Sequence, residues 1–200
     1  GNILRPRTAR KGFCSLLLSA AGYVALDKDL RRPDDLKFQA GMKRSGAGLK
    51  DPHPRTWEKP YRRPVHALVI LGDRYISRVD RLVAGVRKGL KGFAQVVAVE
   101  RGREWRNADK QVVEHFGYAD GLSQPQFFRK EIDRQRKSGD GTDVWNPSAP
   151  LSLVLARDPN ARAVDAFGSY LVFRKLEQNV AAFNRREKAM DRALRLFHPG

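Results

Sequence analysis

Residues 65–99, VHALVILGDRYISRVDRLVAGVRKGLKGFAQVVAV, decide how this 200-residue sequence folds. The first seven, VHALVIL, form an apolar run of strand length, rich in branched aliphatic side chains. Gly72 and Asp73 end it. Ile76, Val79, Leu82, Val83, Val86 and Leu90 then recur at helical spacing. They make one apolar face, with Asp73 or Ser77 available as the cap. Gly89 and Gly92 punctuate the end of that helix. Residues 93–99, FAQVVAV, read as a second strand. The whole stretch reads as a β-α-β unit.

Working outward toward the N-terminus, residues 12–19, GFCSLLLS, read as a buried strand. Residues 20–26, AAGYVAL, read as a short helix capped by Ser19. With the β-α-β unit these would complete a ferredoxin-like α+β sandwich. Between them, residues 31–64 read as a long loop. Pro52, Pro54, Pro60 and Pro64 block regular pairing there, and one helical turn is expected around Phe38.

In the other direction, residues 109–128 break into a loop carrying Gly117, Gly121 and Pro125. Residues 130–142, KEIDRQRKSGDGT, read as an exposed polar connector. Residues 151–156 (LSLVLA) and 169–173 (SYLVF) read as strands. Leu176, Val180, Phe183, Met190, Leu194 and Phe197 mark a long amphipathic helix whose apolar face Glu187 interrupts. The expected layout is a first domain over residues 1–128, a connector over 129–150, and the beginning of a second domain over 151–200. Two strands and one helix leave a sheet edge unpaired and a face half covered, so the second domain is expected to continue past residue 200.

Composition narrows the function classes. The sequence has 41% hydrophobic and 9% aromatic residues, which argues against disorder. Its longest apolar run is far short of the ~20 residues of a membrane-spanning helix. No signal-peptide pattern is visible, and a cytoplasmic location is favoured. Thirty-nine Lys and Arg against 22 Asp and Glu give a net charge of +17. The basic residues spread along the chain in short clusters, such as Arg62-Arg63 and Arg185-Arg186, with no nucleic-acid-binding motif beside them. This reads as a diffusely basic surface. Cys14, the lone cysteine, has apolar neighbours and is expected to be a small buried side chain.

The chemistry is expected in residues 114–125, EHFGYADGLSQP. The glycines allow close backbone approach to a flat ligand or positive φ. Asp120 lies between Ala119 and Gly121 in an apolar, aromatic setting, where a carboxylate can be tuned as an acid or base. Asp-Gly is equally a common turn dipeptide, so the bare pattern leaves both readings open.

Gly117-Tyr118-Ala119-Asp120-Gly121 resembles the GxxDG signature of dye-decolourising-type haem peroxidases. Residues 16–27 (LLLSAAGYVALD), FQAGM followed by LKDPHPRTWEKPYRRPVHALVILGD, and residues 167–185 (FGSYLVFRKLEQNVAAFNR) resemble further segments of that family in the same order. Gly1-Asn2-Ile3-Leu4 resembles the family's opening. The resemblance implies two ferredoxin-like domains of the dimeric α+β barrel type, with haem b held by the second. It implies that Asp120 is the distal acid/base acting on hydrogen peroxide. It places Asp120, Gly121, Leu122 and Ser123 against the haem, and an aromatic or dye-like molecule as reductant. The family's proximal His and distal Arg motifs do not occur in this sequence, so the axial ligand is expected from outside it.

The other histidines have plainer readings. His66 is expected as a core or edge residue, His53 as solvated, His198 as a helix-end surface residue, and His115 as a residue orienting the loop. Trp57, Trp105, Trp145 and the tyrosines could relay electrons, with nothing in the sequence to single one out. No metal-ligand spacing appears, and no membrane partner is expected; a homo-oligomer is compatible. The competing reading is an inactive relative, or a basic module binding anionic partners such as nucleic acid.

Overall fold

In the computed structural model, residues 12–115, 117–119, 125–138 and 146–197 are described. In chain order the elements are β1 (Phe13–Leu18), α1 (Ala20–Leu26), α2 (Leu36–Ala40), α3 (Met42–Ser45), β2 (Ala67–Gly72) and α4 (Ile76–Gly89). There follow β3 (Trp105–Arg106), β4 (Val112–Val113), α5 (Arg129–Ser138), β5 (Ala156–Arg157), β6 (Phe167–Gly168) and α6 (Val180–Phe197). The architecture is mixed α+β. It divides into two units, residues 1–100 with 154–172 and residues 101–153 with 173–200.

In the first unit β1 and β2 pair antiparallel, from Phe13 opposite Gly72 to Leu18 opposite Ala67. Ser19 closes the end of this pair. Its amide donates to the His66 carbonyl at 2.9 Å and its hydroxyl to the Val65 carbonyl at 2.7 Å. The same Oγ accepts from the Gly22 amide at 3.0 Å, capping α1 as expected. Helix and sheet meet so closely that a Cβ on Gly22 would overlap the His66 carbonyl. Ala20, beside the cap, is buried.

The long loop is built from two short helices, α2 and α3, and two 3-10 turns, Pro54–Thr56 and Lys59–Arg62. Asp35 caps α2 by accepting from the Phe38 amide at 2.6 Å. Phe38 bridges Tyr23 and Tyr170, with ring centroids 6.2 and 5.4 Å apart. Each such pair is worth about 0.5–1.5 kcal/mol beyond the area it buries. β5 and β6 are a two-residue antiparallel pair, Ala156 opposite Gly168 and Arg157 opposite Phe167.

In the second unit β3 and β4 form a tight hairpin. Asn107 holds its turn: its Oδ1 accepts from the Gln111 amide at 2.9 Å and its Nδ2 donates to Gln111 Oε1 at 3.0 Å.

Several expectations are corrected. Residues 93–99 form no strand, although their side chains favour one. Among the described residues β2 pairs with β1 alone, and a strand needs a ladder partner to satisfy its backbone. The unit is therefore an antiparallel pair with α4 packed on β2, and the β-α-β unit does not form. Strand 151–156 is replaced by a 3-10 turn at Leu151–Leu153 and the short β5, and the expected strand at 169–173 by β6 two residues earlier. The polar connector contains a ten-residue helix, α5. Neither Asp73 nor Ser77 caps α4; Tyr75 occupies the cap, and Asp73 accepts from its amide at 2.9 Å. Cys14 is exposed, because the first four residues of β1 are uncovered. His66 is exposed and precedes β2; it is not in the core.

Candidate active site

The candidate site is the loop between β4 and α5. β4 runs into a turn in which the Glu114 amide donates to the Tyr118 carbonyl and the Gly117 amide to the Glu114 carbonyl, both at 3.0 Å. The Glu114 side chain closes the same turn by accepting from the Tyr118 amide at 2.9 Å. Gly117 has φ +97°, a conformation only glycine adopts without strain. Val113 then bridges Ala119 antiparallel. Asp120, Gly121, Leu122 and Ser123 lie outside the described residues.

The far flank is tied as firmly. The Gln126 amide donates to the Pro147 carbonyl at 2.7 Å, and the Ala149 amide to the Gln126 carbonyl at 3.0 Å. Pro147 is fully buried. Both flanks of the glycine-bracketed segment are thus held by backbone pairing, at Val113–Ala119 and at Gln126–Ser148.

Tyr118 links the loop to α6. Its ring meets Phe183 edge-on, with centroids 5.8 Å apart and planes at 78°. Its phenol is held above its ordinary ionisation range, first by hydrogen bonding toward the Glu187 side chain, then by burial and by the charges of Glu187 and Glu114. Glu187 stood out in the sequence only as an interruption of the apolar face of α6. Phe183 and Glu187 are four residues apart and share a helix face, so the tyrosine engages both at once. A lone acid on an otherwise apolar helix face was the signal that could have found this contact.

His53 and His115 are exposed, as is His66. His53 Nδ1 accepts from the Arg55 amide at 3.2 Å, a local turn contact. Among the described residues no group of three or more His, Cys, Asp or Glu side chains could hold a metal ion. No described helix is long and apolar enough to cross a membrane.

No protein-family model matches the sequence. Individual relatives do. The chain is 41% identical over 172 residues to the multifunctional dye peroxidase DyP2 of Amycolatopsis sp., covering 86% of this chain and 37% of that protein. It is 29% identical over 178 residues to the dye-decolorizing peroxidase msp1 of Mycetinis scorodonius, covering 79% of this chain and 32% of the relative. The crystal structure of the DyP-type peroxidase AnaPX of Anabaena sp. superposes with a TM-score of 0.84 at 36% identity, covering 95% of this chain and 41% of that one. The chain belongs to the dye-decolourising, DyP-type peroxidase family. It spans about two fifths or less of the length of the relatives it matches.

DyP-type peroxidases are haem enzymes. Nothing lies within 4 Å of where a Cβ on Gly117 would stand, but the same holds at Gly41, Gly85, Gly89, Gly92, Gly102 and Gly168, so this openness singles out no haem-facing surface. The three described histidines are all exposed, and none has the buried, oriented ring of an axial ligand.

Proposed function

We propose that this chain forms the peroxide-facing part of a dye-decolourising-type haem peroxidase, with Asp120 as the distal acid/base. The observation that carries the reading is the likeness to AnaPX over 95% of the chain. In this reading Asp120, Gly121, Leu122 and Ser123 face the cofactor, haem b, and no histidine of the chain serves as its axial ligand. Residues 1–128 belong to one ferredoxin-like domain, residues 129–150 connect it, and residues 151–200 begin a second.

The residues act on protons. The Asp120 carboxylate accepts a proton from hydrogen peroxide and returns it to the departing oxygen, which leaves as water. Bound haem supplies the electrons that break the O–O bond. An aromatic or dye-like reductant then restores those electrons. The backbone ties flanking the loop favour this role, because a catalytic carboxylate must be held in reach of the proton it moves.

The test is a haemin titration of a protein that contains this chain together with a segment supplying the axial ligand, followed by mixing with hydrogen peroxide. The reading expects a Soret band and a peroxide-dependent change in it. Asp120→Asn should slow that change by about 100-fold or more, the usual scale of acid/base assistance. An unchanged rate would remove Asp120 from the mechanism.

A further inference from the structure

Glu114 commits three hydrogen-bonding groups to one short turn. Its amide donates to the Tyr118 carbonyl and its carbonyl accepts from the Gly117 amide, both at 3.0 Å. Its side-chain Oε1 accepts from the Tyr118 amide at 2.9 Å. Both main-chain groups of Tyr118 are thus held by a single residue, as a strand partner would hold them. The Glu114 carbonyl is already taken by Gly117, so the Tyr118 amide falls to the side chain. A carboxylate is a strong acceptor for such an amide. One residue further on, Ala119 is bridged by Val113. Asp120 is next in the chain. Its Cα stands at most ~7 Å from that of Tyr118.

The two flanks of the loop differ in this respect. On the far side Gln126 is tied through main-chain groups, to the Pro147 carbonyl and the Ala149 amide. Those ties do not depend on the Gln126 side chain. On the near side one tie is a side chain, so a single substitution releases it and leaves the glycine-bracketed motif intact. Gly117 makes the release matter. Its φ of +97° is one of many conformations open to glycine, and it persists only where the neighbouring residues are fixed.

We propose that Glu114 is a positioning residue for Asp120: its carboxylate, by holding the Tyr118 amide, fixes the direction in which the chain delivers Asp120 to hydrogen peroxide. The proposal rests on the peroxidase reading for the role of Asp120 and adds a residue that acts through it. Glu114 itself touches neither peroxide nor cofactor and moves no proton. A base works only within hydrogen-bond reach of the proton it takes, and a displacement of about 1 Å can cost about 100-fold in rate. The turn at Gly117 and Tyr118 is where such a displacement would start.

Three replacements separate the bond from the charge. Glu114→Gln keeps an oxygen at the same reach and loses the charge. Glu114→Asp keeps the charge and is one methylene too short. Glu114→Ala loses both. The protein tested is this chain together with a segment supplying the axial ligand, loaded with haemin. After mixing with hydrogen peroxide at pH 7, the rate of change of the Soret band should fall by about tenfold or more in Glu114→Ala and Glu114→Asp, and stay near the parent value in Glu114→Gln. Hydrogen exchange of a peptide spanning residues 113–119, read by mass spectrometry, should quicken in the same two variants. A rate that follows the charge, or that Glu114→Ala leaves unchanged, overturns the proposal. So does an effect of Glu114→Ala that persists at full size beside Asp120→Asn, because a residue acting through Asp120 then has nothing left to position. Asp120→Asn alone keeps the two readings apart. If it leaves the rate unchanged, the peroxidase reading of Asp120 fails and this proposal falls with it. If it slows the rate while Glu114→Ala does not, this proposal alone fails. Circular dichroism and the resting Soret band confirm folding, and Glu114→Asp carries the comparison where Glu114→Ala does not fold.

Discussion

The Asn160 side chain pairs with both backbone groups of Arg31, 129 residues away in sequence. Asn160 Oδ1 accepts from the Arg31 amide at 2.9 Å, and Nδ2 donates to the Arg31 carbonyl at 2.7 Å. One amide thus imitates a strand partner, tying the loop after α1 to the turn between β5 and β6. Its own turn is fixed as well, because the Asn160 amide donates to Asp158 Oδ1 at 2.9 Å.

Replacing Asn160 should therefore cost more than an ordinary surface change. Asn160→Ala removes two hydrogen bonds, each worth about 0.5–1.5 kcal/mol net. Because Arg31 is exposed, water can take over its backbone groups, so we expect a loss of about 1–2 kcal/mol. Asn160→Asp keeps the acceptor and loses the donor, and should fall between wild type and alanine. Urea midpoints measure both; equal midpoints for all three proteins would show that the clamp contributes nothing.

Ser19 does two jobs with one oxygen, and its variants separate them. Ser19→Ala loses the cap on α1 and the bond to Val65, for about 1–2 kcal/mol. Ser19→Thr keeps a hydroxyl and should recover most of it. Ser19→Gly, which caps tolerably but cannot reach Val65, should lie between them. If glycine matched serine in thermal melts, the bond to the Val65 carbonyl would carry no weight.

Local signals are legible wherever the element needs only its own residues. The cap at Ser19, the apolar stripe of α4 and the long face of α6 are written in consecutive positions, and all three are present. Signals that depend on a distant partner are less legible. Residues 93–99 have strand chemistry, but pairing is decided by another segment, and β2 is taken by β1. α5 escaped notice for the opposite reason. Its helix-forming Glu, Gln, Lys and Arg residues carry little apolar periodicity around Ile132. At the candidate site, the motif marks Asp120, which lies outside the described residues. The meeting of Tyr118 with Phe183 is not legible, because nothing in the sequence says which of the five tyrosines α6 will meet.

Two phenols make stability fall in strongly alkaline solution. Tyr23 is held above its ordinary range by burial first, then by the charges of Asp158 and Tyr170. Tyr118 is raised first by hydrogen bonding toward Glu187. In the unfolded chain both ionise near pH 10. Above that pH the unfolded state holds fewer protons than the folded state, so each further rise favours unfolding. The stabilisation is complete below pH 10 and is lost as the folded-state phenols titrate. Urea midpoints from pH 9 to 11.5 should therefore drop in the wild type and drop less steeply in Tyr23→Phe. A parallel fall in the two proteins would trace the loss to other groups, such as the lysines.

Two residues with positive φ bracket β4, and their substitutions should act in opposite directions. Lys110 has φ 62° in the hairpin turn, where its carbonyl accepts from Arg106 at 2.6 Å. A side chain with a Cβ pays about 1–2 kcal/mol for that conformation, and glycine does not. Part of the gain is offset because glycine loosens the unfolded chain, so Lys110→Gly should stabilise by up to about 1 kcal/mol. Gly117 has φ +97°, with nothing within 4 Å of a would-be Cβ. Steric collision therefore cannot explain a loss in Gly117→Ala; only backbone conformation can. That loss should be about 1 kcal/mol or more, and it should appear where the turn hands Tyr118 to α6. Hydrogen exchange at the Gly117 and Tyr118 amides, which donate to Glu114, measures it directly: exchange should quicken in Gly117→Ala and stay unchanged in Lys110→Gly. Unchanged protection in Gly117→Ala would mean that the turn does not depend on its glycine, and that the loop's approach to α6 is set by the Tyr118–Phe183 pair instead.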